Sequence, residues 1–225
     1  MLEILYQDEY LVAINKPHGL LVHRSKIARD ADEFAIQKLR DQIDQMVYPA
    51  HRLDRKTSGV ILFALSKEVN SLMQQQFMNH KVAKKYLAIV RGYTEDAVTI
   101  DYDLKREDGK VQNAITKFVT LQKTEANFPS NGFETSRYSL IEISPQTGRF
   151  HQIRKHMAHI RHPIVGDRPH GCNKQNKTLL ERFNLSSMML HAVELKFDHP
   201  ITSKEVTISG SISEEFAGMK ENLEF

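Results

Sequence analysis

One carboxylate is surrounded by positive charge in the segment 51–59 of this 225-residue chain. Asp54 lies within three residues of the following side chains that carry, or on protonation would carry, positive charge: His51, Arg52, Arg55 and Lys56. Opposite charge nearby favours the ionised form of a carboxylate. An ionised carboxylate suits a nucleophile or an electrostatic stabiliser better than a general acid. The alternative interpretation is that Asp54 only holds a basic turn together.

A second basic segment, residues 147–163, is predicted to contain a helix. Ile153, Met157 and Ile160 stand at i, i+4 and i+7, so a helix would bury that side. Its remaining faces would carry Arg154, Lys155, Ala158 and Arg161. Beside a carboxylate turn, such a helix is a reasonable phosphate-facing surface.

The elements that must position these two segments are mostly short strands. Strands are predicted at 2–6, 10–14, 60–65, 82–92, 114–121, 135–144, 188–197 and 206–208, the first two as a hairpin. Helices are predicted over 30–45 and from Ser66 onward, where the Ser66 hydroxyl would cap the helix. The rest of residues 94–134 is predicted to form irregular or variable loops. Strands outnumber helices and do not alternate with long ones, which argues against a doubly wound sheet.

Composition limits the class of protein. A length of 225 residues suits one domain or two closely packed lobes. The net charge of +3, from 31 Lys and Arg against 28 Asp and Glu, is only mildly basic. The single Cys172 excludes an intrachain disulfide and a multi-cysteine zinc site. No apolar run approaches the ~20 residues of a membrane span, so we expect a cytoplasmic protein without a membrane partner.

Three stretches resemble the motifs of one family, the RluA-type pseudouridine synthases. The string His-Arg-Leu-Asp-Arg-Lys-Thr-Ser-Gly at 51–59 resembles the family's active-site motif and matches all of its fixed positions. The predicted strand 82–92, which contains Tyr86, resembles the second motif. The string Thr-Gly-Arg-Phe-His-Gln-Ile-Arg at 147–154 resembles the third.

Two further segments and the implied fold extend the resemblance. Asn-Lys-Pro-His-Gly at 15–19 resembles the first motif, whose lysine and proline are generally taken as structural. Residues 163–171 resemble the family's Pro-x-x-Gly-Asp segment, although His170 stands where much of the family has tyrosine. The implied structure is α+β, a mixed and mostly antiparallel sheet with flanking helices and a central active-site cleft. Residues 1–225 are expected to form a single catalytic domain, without the S4-like N-terminal domain frequent in the family.

For the site, the resemblance implies that Asp54 is the catalytic residue and that Arg52 enters the RNA near the target nucleotide. Tyr86 would stack on the target base, and Arg154 would pair with Asp54. The remaining substrate-binding candidates are His51, Arg55, Lys56, Arg149 and Lys155. The implied reaction isomerises uridine to pseudouridine and consumes nothing, so we expect no cofactor and no metal.

The histidines of the second basic segment suggest an alternative, a metal-dependent hydrolase that chelators would inactivate. They stand at positions 151, 156, 159 and 162. His156 and His159 could share a helix face, but neither a His-Glu-x-x-His pattern nor an acidic third ligand accompanies them. We therefore interpret these histidines as solvated or RNA-contacting.

Three segments outside the three motifs indicate which kind of RNA is the substrate. Residues 2–9, 21–25 and 161–171 most resemble family members that modify uridine 65 of tRNA. Ribosomal RNA synthases of the same family are an alternative, and a catalytically silent RNA-binding protein is an alternative of another class. We expect a monomer whose partner is RNA, with tRNA favoured over ribosomal RNA.

Overall fold

The computed structural model divides the chain into two compact units. It describes the following residues: 1–23, 33–129 and 132–225. The first unit comprises residues 1–84 and 192–211, and the second comprises residues 85–191 and 212–225. Each unit is therefore assembled from two separate stretches of chain, and each has its own buried core.

Twelve strands and five helices lie within the described residues. The strands are β1 (Glu3–Gln7), β2 (Leu11–Lys16), β3 (Tyr48–Pro49), β4 (Ser58–Ala64), β5 (Ala83–Arg91), β6 (Ala97–Asp101), β7 (Leu104–Lys105), β8 (Val111–Gln112), β9 (Ile115–Ala126), β10 (Ser136–Pro145), β11 (Leu190–Asp198) and β12 (Glu205–Ser209). The helices are α1 (Ala35–Ile43), α2 (Lys67–Met78), α3 (Gln152–His159), α4 (Asn173–Phe183) and α5 (Glu214–Asn222). The predicted α+β class is confirmed. None of these described helices has the length and apolar character needed to cross a membrane.

The first unit contains the predicted opening hairpin. β1 pairs with β2, and β2 pairs with β4, both antiparallel. All seven residues of β4 are buried, which explains the uninterrupted apolar run behind the charged segment. α2 begins at its predicted cap, where the Ser66 hydroxyl accepts a hydrogen bond from the backbone N–H of Val69 over 3.2 Å. Val69 and Met73 of this helix join the same buried cluster as Leu62 of β4.

α1 is shorter than the predicted helix over 30–45. It begins at Ala35, after Phe34 in extended conformation, and ends at Ile43, before the cap residue Asp44, whose φ of 50° is left-handed. Ala35 and Leu39 are the buried residues of this helix. The predicted beginning of the helix, residues 30–32, lies outside the described residues.

The second unit is built on the antiparallel series β5, β10, β9 and β6. Side chains alternate along β5 as predicted, because Ala88 and Val90 belong to one buried cluster and Ile89 belongs to another. Both faces of this strand are therefore covered.

Residues 94–134 hold more regular structure than predicted. β6, β7 and β8 lie there, and β9 continues to Ala126 instead of ending near residue 121. Residues 122–125 of β9 are all polar, so the alternation that signals a half-buried strand is absent from this extension. α4 was also not predicted, because this polar helix buries only Gln175 and Leu179. α5, which follows the Ser213 cap, was missed as well.

Candidate active site

The Asp54 carboxylate lies on a turn directly before β4 in the first unit. The backbone N–H of Thr57 donates to the carbonyl oxygen of Asp54 over 3.1 Å, which closes a tight turn. Asp54 is half-buried, whereas Leu53 and Thr57 on either side are buried. The carboxylate therefore stands before a buried strand, as the predicted strand over 60–65 implies. β4 begins two residues earlier than predicted, because Ser58 and Gly59 already belong to it.

Lys16 fastens this turn to the loop that follows β2. Its ammonium group donates to three carbonyl oxygens, at 3.0, 2.9 and 3.2 Å, those of Pro17, Leu20 and Arg55. Two reciprocal bonds reinforce the junction, because Gly19 N–H donates to the Arg55 carbonyl and Arg55 Nε–H donates to the Gly19 carbonyl. Burial lowers the pKa of Lys16 to about 7, and the charge of Asp54 acts in the opposite direction. The structural role predicted for Lys16 is confirmed.

Steric constraints require a glycine at position 59, the last residue of the 51–59 motif. Its φ is 107°, in the range that L side chains rarely adopt. A Cβ at this position would stand 2.1 Å from the carbonyl oxygen of Ala192 in β11. Any side chain would therefore force the two backbones apart within the first unit.

The surroundings of His51 disfavour the protonation that would place a positive charge beside Asp54. Its Nε2 accepts a hydrogen bond from the backbone N–H of Leu62 over 3.1 Å, and its ring contacts Phe77 with centroids 4.8 Å apart. Burial, helped by the charge of Lys84, lowers the pKa of His51 to about 3. The ring is therefore neutral at physiological pH and supports β4, while an RNA contact of His51 remains a prediction.

The other cations of the motif differ in exposure. Arg52 and Arg55 are exposed, and Lys56 is half-buried. Arg55 uses its Nε–H on the loop carbonyl of Gly19. Exposure of Arg52 is compatible with the predicted insertion of this side chain into RNA.

Tyr86 lies on β5 in the second unit and is half-buried. Its neighbour across the sheet is Ile143 of β10. The ring packs against the buried cluster that also contains Ile153 and Met157 of α3. Tyr86 and the helix that carries Arg154 thus rest on the same core, while base stacking by Tyr86 remains a prediction.

Arg154 is buried, contrary to the predicted position on an open helix face. Its Nε–H donates to Oδ2 of Asp167 over 2.7 Å and its Nη2–H donates to Oδ1 over 2.9 Å. The side chains of this pair are 5% and 1% exposed. The spacing of apolar residues cannot predict that Arg154 is buried. Its burial depends on the Asp167 carboxylate, which lies in a loop after the helix. The predicted pairing of Arg154 with Asp54 remains a prediction.

Asp167 is not among the site residues predicted from the sequence, although its segment, residues 163–171, resembles the family's Pro-x-x-Gly-Asp segment. Burial alone would raise the pKa of this carboxyl, but the hydrogen bonds and charge of Arg154 outweigh it and lower the pKa. The backbone N–H of His170 adds a longer contact to Oδ1, at 3.3 Å. The His170 ring shares a 2.9 Å hydrogen bond with Nδ1 of His151. The position where this chain departs from the family's tyrosine is therefore part of the support of Arg154.

Gln152 organises the loop before α3 and was also missed. Its Oε1 accepts from the Thr147 hydroxyl at 2.7 Å and from Arg149 N–H at 3.0 Å. Its Nε2 donates to the Ile115 carbonyl and the Thr116 hydroxyl oxygen of β9, each at 3.0 Å. The threonine and glutamine of the 147–154 string thus anchor the loop to the sheet.

The other three histidines of the second basic segment, His156, His159 and His162, contact other parts of the protein. His156 is fully buried, so its interpretation as solvated or RNA-contacting is wrong. Its Nε2–H donates to the Tyr102 carbonyl at 2.9 Å, its Nδ1 faces the Thr116 hydroxyl at 3.0 Å, and burial lowers its pKa. The exposed His159 stacks on Tyr102 with centroids 3.7 Å apart, and His162 donates to a backbone carbonyl. Within the described residues, no three His, Cys, Asp or Glu side chains are grouped so as to hold a metal ion.

The sequence of this chain is similar to those of known proteins over most of its length. Residues 10–159 match the family model of RNA pseudouridylate synthases. The chain is 49% identical over 230 residues to tRNA pseudouridine synthase C of Vibrio cholerae, covering 97% of this chain and 94% of that protein. It is 47% identical over 227 residues to the protein of the same name from Haemophilus influenzae, covering 96% and 95%.

Solved structures show the same similarity. Human RNA pseudouridylate synthase domain containing 4 aligns with a TM-score of 0.75 at 26% identity, covering 99% of this chain and 93% of that one. Human RNA pseudouridylate synthase domain containing 1 aligns with a TM-score of 0.76 at 25% identity, covering 94% and 84%.

Proposed function

Because the chain belongs to the RNA pseudouridylate synthase family, we propose that it isomerises uridine to pseudouridine in tRNA. The observation that carries the tRNA assignment is the near-full-length similarity, at 47–49% identity, to relatives named tRNA pseudouridine synthase C. Uridine 65 is the proposed target, which the resemblance of residues 2–9, 21–25 and 161–171 supports.

The reaction rearranges one nucleoside. The N1–C1′ glycosidic bond breaks, the uracil turns, and a C5–C1′ bond forms. The proton on C5 is then lost and N1 gains one, so that atoms and charge balance without a redox partner or a group donor. A single carboxylate can serve this sequence, which is why the proposal includes no cofactor and no metal.

Asp54 is the proposed reacting carboxylate. Two routes suit it: attack on C1′ to form a covalent intermediate, or removal of the C2′ proton to form a glycal. The turn that bears Asp54 is held by Lys16, and Gly59 fixes the strand behind it. Such rigid support is what a reacting group needs to keep its geometry during turnover.

Tyr86 and Arg154 are the proposed supporting residues. Tyr86 would hold the uracil by stacking, and its hydroxyl would assist removal of the C5 proton. Arg154 would orient Asp54, as its family match implies, while Asp167 fixes the plane of its guanidinium. A paired target base must first leave the helix, and Arg52 would occupy the space that it vacates.

Tritium release from RNA labelled at uracil C5 tests the proposal. A tRNA transcript should release tritium, and the same transcript with cytidine at position 65 should release none from that site. A ribosomal RNA transcript tests the alternative substrate. Release from ribosomal RNA alone would transfer the assignment to that RNA, and release from neither would contradict the enzymatic function.

The proposal extends to the state of the working enzyme. Residues 1–225 would act as one catalytic domain and as a monomer, which gel filtration with and without tRNA would check. A tRNA substrate and a single cysteine support a cytoplasmic location. Mapping pseudouridine in total RNA from cells with and without the gene tests activity and target together.

A further inference from the structure

We propose that Phe150 is a stacking platform for an unpaired nucleotide of the RNA substrate, with Lys155 as the contact for its phosphate. This inference rests on the proposed function, since it takes the substrate to be RNA. Phe150 fills the variable position of the Thr-Gly-Arg-x-His-Gln-Ile-Arg string at 147–154. No role described above makes use of it.

The environment of Phe150 is that of a contact surface. The residue is 56% exposed, so packing in a core does not account for a phenylalanine here. Its ring lies nearly parallel to the ring of His151, with centroids 3.8 Å apart and 21° between the planes. The stack with His151 holds the ring in a defined plane, and an exposed aromatic ring held in this way is the kind of surface on which nucleobases stack.

The charges of Lys155 and of the sequence segment that follows Phe150 favour a polyanion. Lys155 Nζ stands 5.5 Å from the centre of the ring. The stretch from 149 to 170 contains five cationic side chains, which are Arg149, Arg154, Lys155, Arg161 and Arg168. Its one acidic residue, Asp167, is paired with Arg154. A neutral apolar partner would gain nothing from this excess of positive charge, whereas an RNA phosphate would.

Contacts within the second unit connect this platform to a proposed site residue. Phe150 stacks on His151, and the His151 ring shares a 2.9 Å hydrogen bond with the His170 ring. The backbone N–H of His170 donates to the Asp167 carboxylate, which in turn binds Arg154. The platform is thus part of the same set of contacts that holds Arg154. The nucleotide that it binds would be one that flanks the target uridine.

Binding to product RNA provides the first test, because tRNA that already contains pseudouridine cannot turn over. Phe150→Ala should weaken the Kd about 5- to 150-fold, the range for loss of one base stack. Phe150→Tyr keeps a flat ring and should stay within about threefold of wild type. Phe150→Leu keeps apolar area without a flat ring and should behave like Phe150→Ala. Phe133→Ala is the matched control, since this phenylalanine is 66% exposed in the same unit and lies next to an acidic residue, Glu134.

A cycle with abasic RNA identifies the nucleotide. Each position that flanks the target is replaced in turn by an abasic nucleotide, and the Kd is measured with wild type and Phe150→Ala. At the position that stacks on Phe150, the abasic RNA should weaken wild-type binding by a similar factor but leave Phe150→Ala unaffected. Effects that multiply independently at every flanking position would overturn the proposal.

Other outcomes are equally decisive. Equal loss of affinity in Phe133→Ala and Phe150→Ala would reject a specific platform. A lower kcat with an unchanged Kd in Phe150→Ala would also reject it, because Phe150 would then only cover His151. Tritium release by the wild type reports on the proposed function separately. Absence of that release is a failure of the function, whereas normal release with a featureless abasic scan is a failure of the platform alone.

Discussion

The Arg154 guanidinium and the Asp167 carboxylate form a bidentate ion pair that is almost completely withdrawn from solvent. Two charge-assisted hydrogen bonds determine the plane of the guanidinium as well as its position. Any catalytic use of Arg154 therefore depends on a partner thirteen residues away along the chain.

Asp167→Asn should lower the free energy of unfolding by about 3–5 kcal/mol, because it removes the carboxylate charge that pairs with a buried guanidinium through two hydrogen bonds. Urea unfolding at pH 7 measures this cost. The exposed pair of Lys196 and Glu205, 2.9 Å apart, provides the matched control. Glu205→Gln should cost less than about 1 kcal/mol. Equal costs in the two variants would show that the burial of Arg154 adds nothing to its dependence on Asp167.

Asp54→Asn should abolish product formation while the fold and the affinity for tRNA stay close to wild type. The amide has the same shape as the carboxylate but is neither a useful nucleophile nor a base at neutral pH. Tritium release and fluorescence anisotropy measure the two properties. Asp41→Asn changes an exposed carboxylate of α1 and should behave like wild type in both. Full turnover by Asp54→Asn would remove Asp54, and with it the derived role of Arg154, from the mechanism.

Tyr86→Phe should bind tRNA within a few fold of wild type yet form little product, because the ring remains and the hydroxyl is lost. Tyr86→Ala should in addition weaken binding, since one base stack is worth about 1–3 kcal/mol. Single-turnover rates and Kd values separate the two effects. Wild-type rates in the Phe variant would assign Tyr86 to binding only.

Acid should destabilise the protein through His51. Its pKa in the folded protein is about 3, below its ordinary value of 6.5, so the unfolded chain takes up the proton first. The stability that depends on neutral His51 is complete above pH 6.5 and declines as the pH falls toward 3. Between pH 7 and 5, wild type should lose on the order of 1–2 kcal/mol more than His51→Gln, whose amide oxygen can still accept from Leu62.

Urea unfolding at both pH values tests the role of His51. His80→Asn is the control, because His80 is exposed and has a left-handed φ of 56° that asparagine adopts readily. This variant should keep the wild-type pH dependence. The same dependence in His51→Gln would show that another group is responsible.

Affinity for tRNA should fall steeply with salt, since each neutralised phosphate releases counterions. The candidate phosphate contacts are Arg52, Arg55, Lys56, Arg149, Lys155 and Arg161, none of which is buried. The slope of log affinity against log salt should be on the order of −2 to −5, and Arg52→Gln should reduce its magnitude by about 0.7. Lys204→Gln, an exposed change before β12, should leave the slope unchanged. A salt-independent affinity would contradict this surface.

Local patterns predicted those parts of the molecule that local interactions determine. The opening hairpin, the Ser66 cap and the alternation along β5 follow from propensities and burial within a few residues. The turn at Asp54 could be located in the same way, because a charged segment stands directly before a buried strand.

Long-range polar partners account for what sequence reasoning missed. The sequence predicts that Arg154 faces solvent, because it does not show that Asp167 pairs with this arginine in the folded protein. Nothing in the sequence distinguishes Gln152 from an ordinary polar residue, although its side chain connects the loop before α3 to β9 through four hydrogen bonds. The role of His51 as a hydrogen-bond acceptor for Leu62 was not predicted, because that contact arises only when the sheet forms. Such contacts depend on tertiary geometry, which periodicity does not encode.

The Lys16 contact makes the amino-terminal hairpin a structural requirement of the turn that carries Asp54. Its ammonium group reaches the carbonyl of Arg55 across 39 positions of sequence, so the Asp54 turn is completed only when the hairpin has docked. A deletion or bulky fusion that disturbs the first twenty residues would therefore distort the Asp54 turn as a substitution within the turn would. In a complementation experiment, a fragment that begins after Lys16 should regain the native turn only when the missing hairpin peptide is supplied.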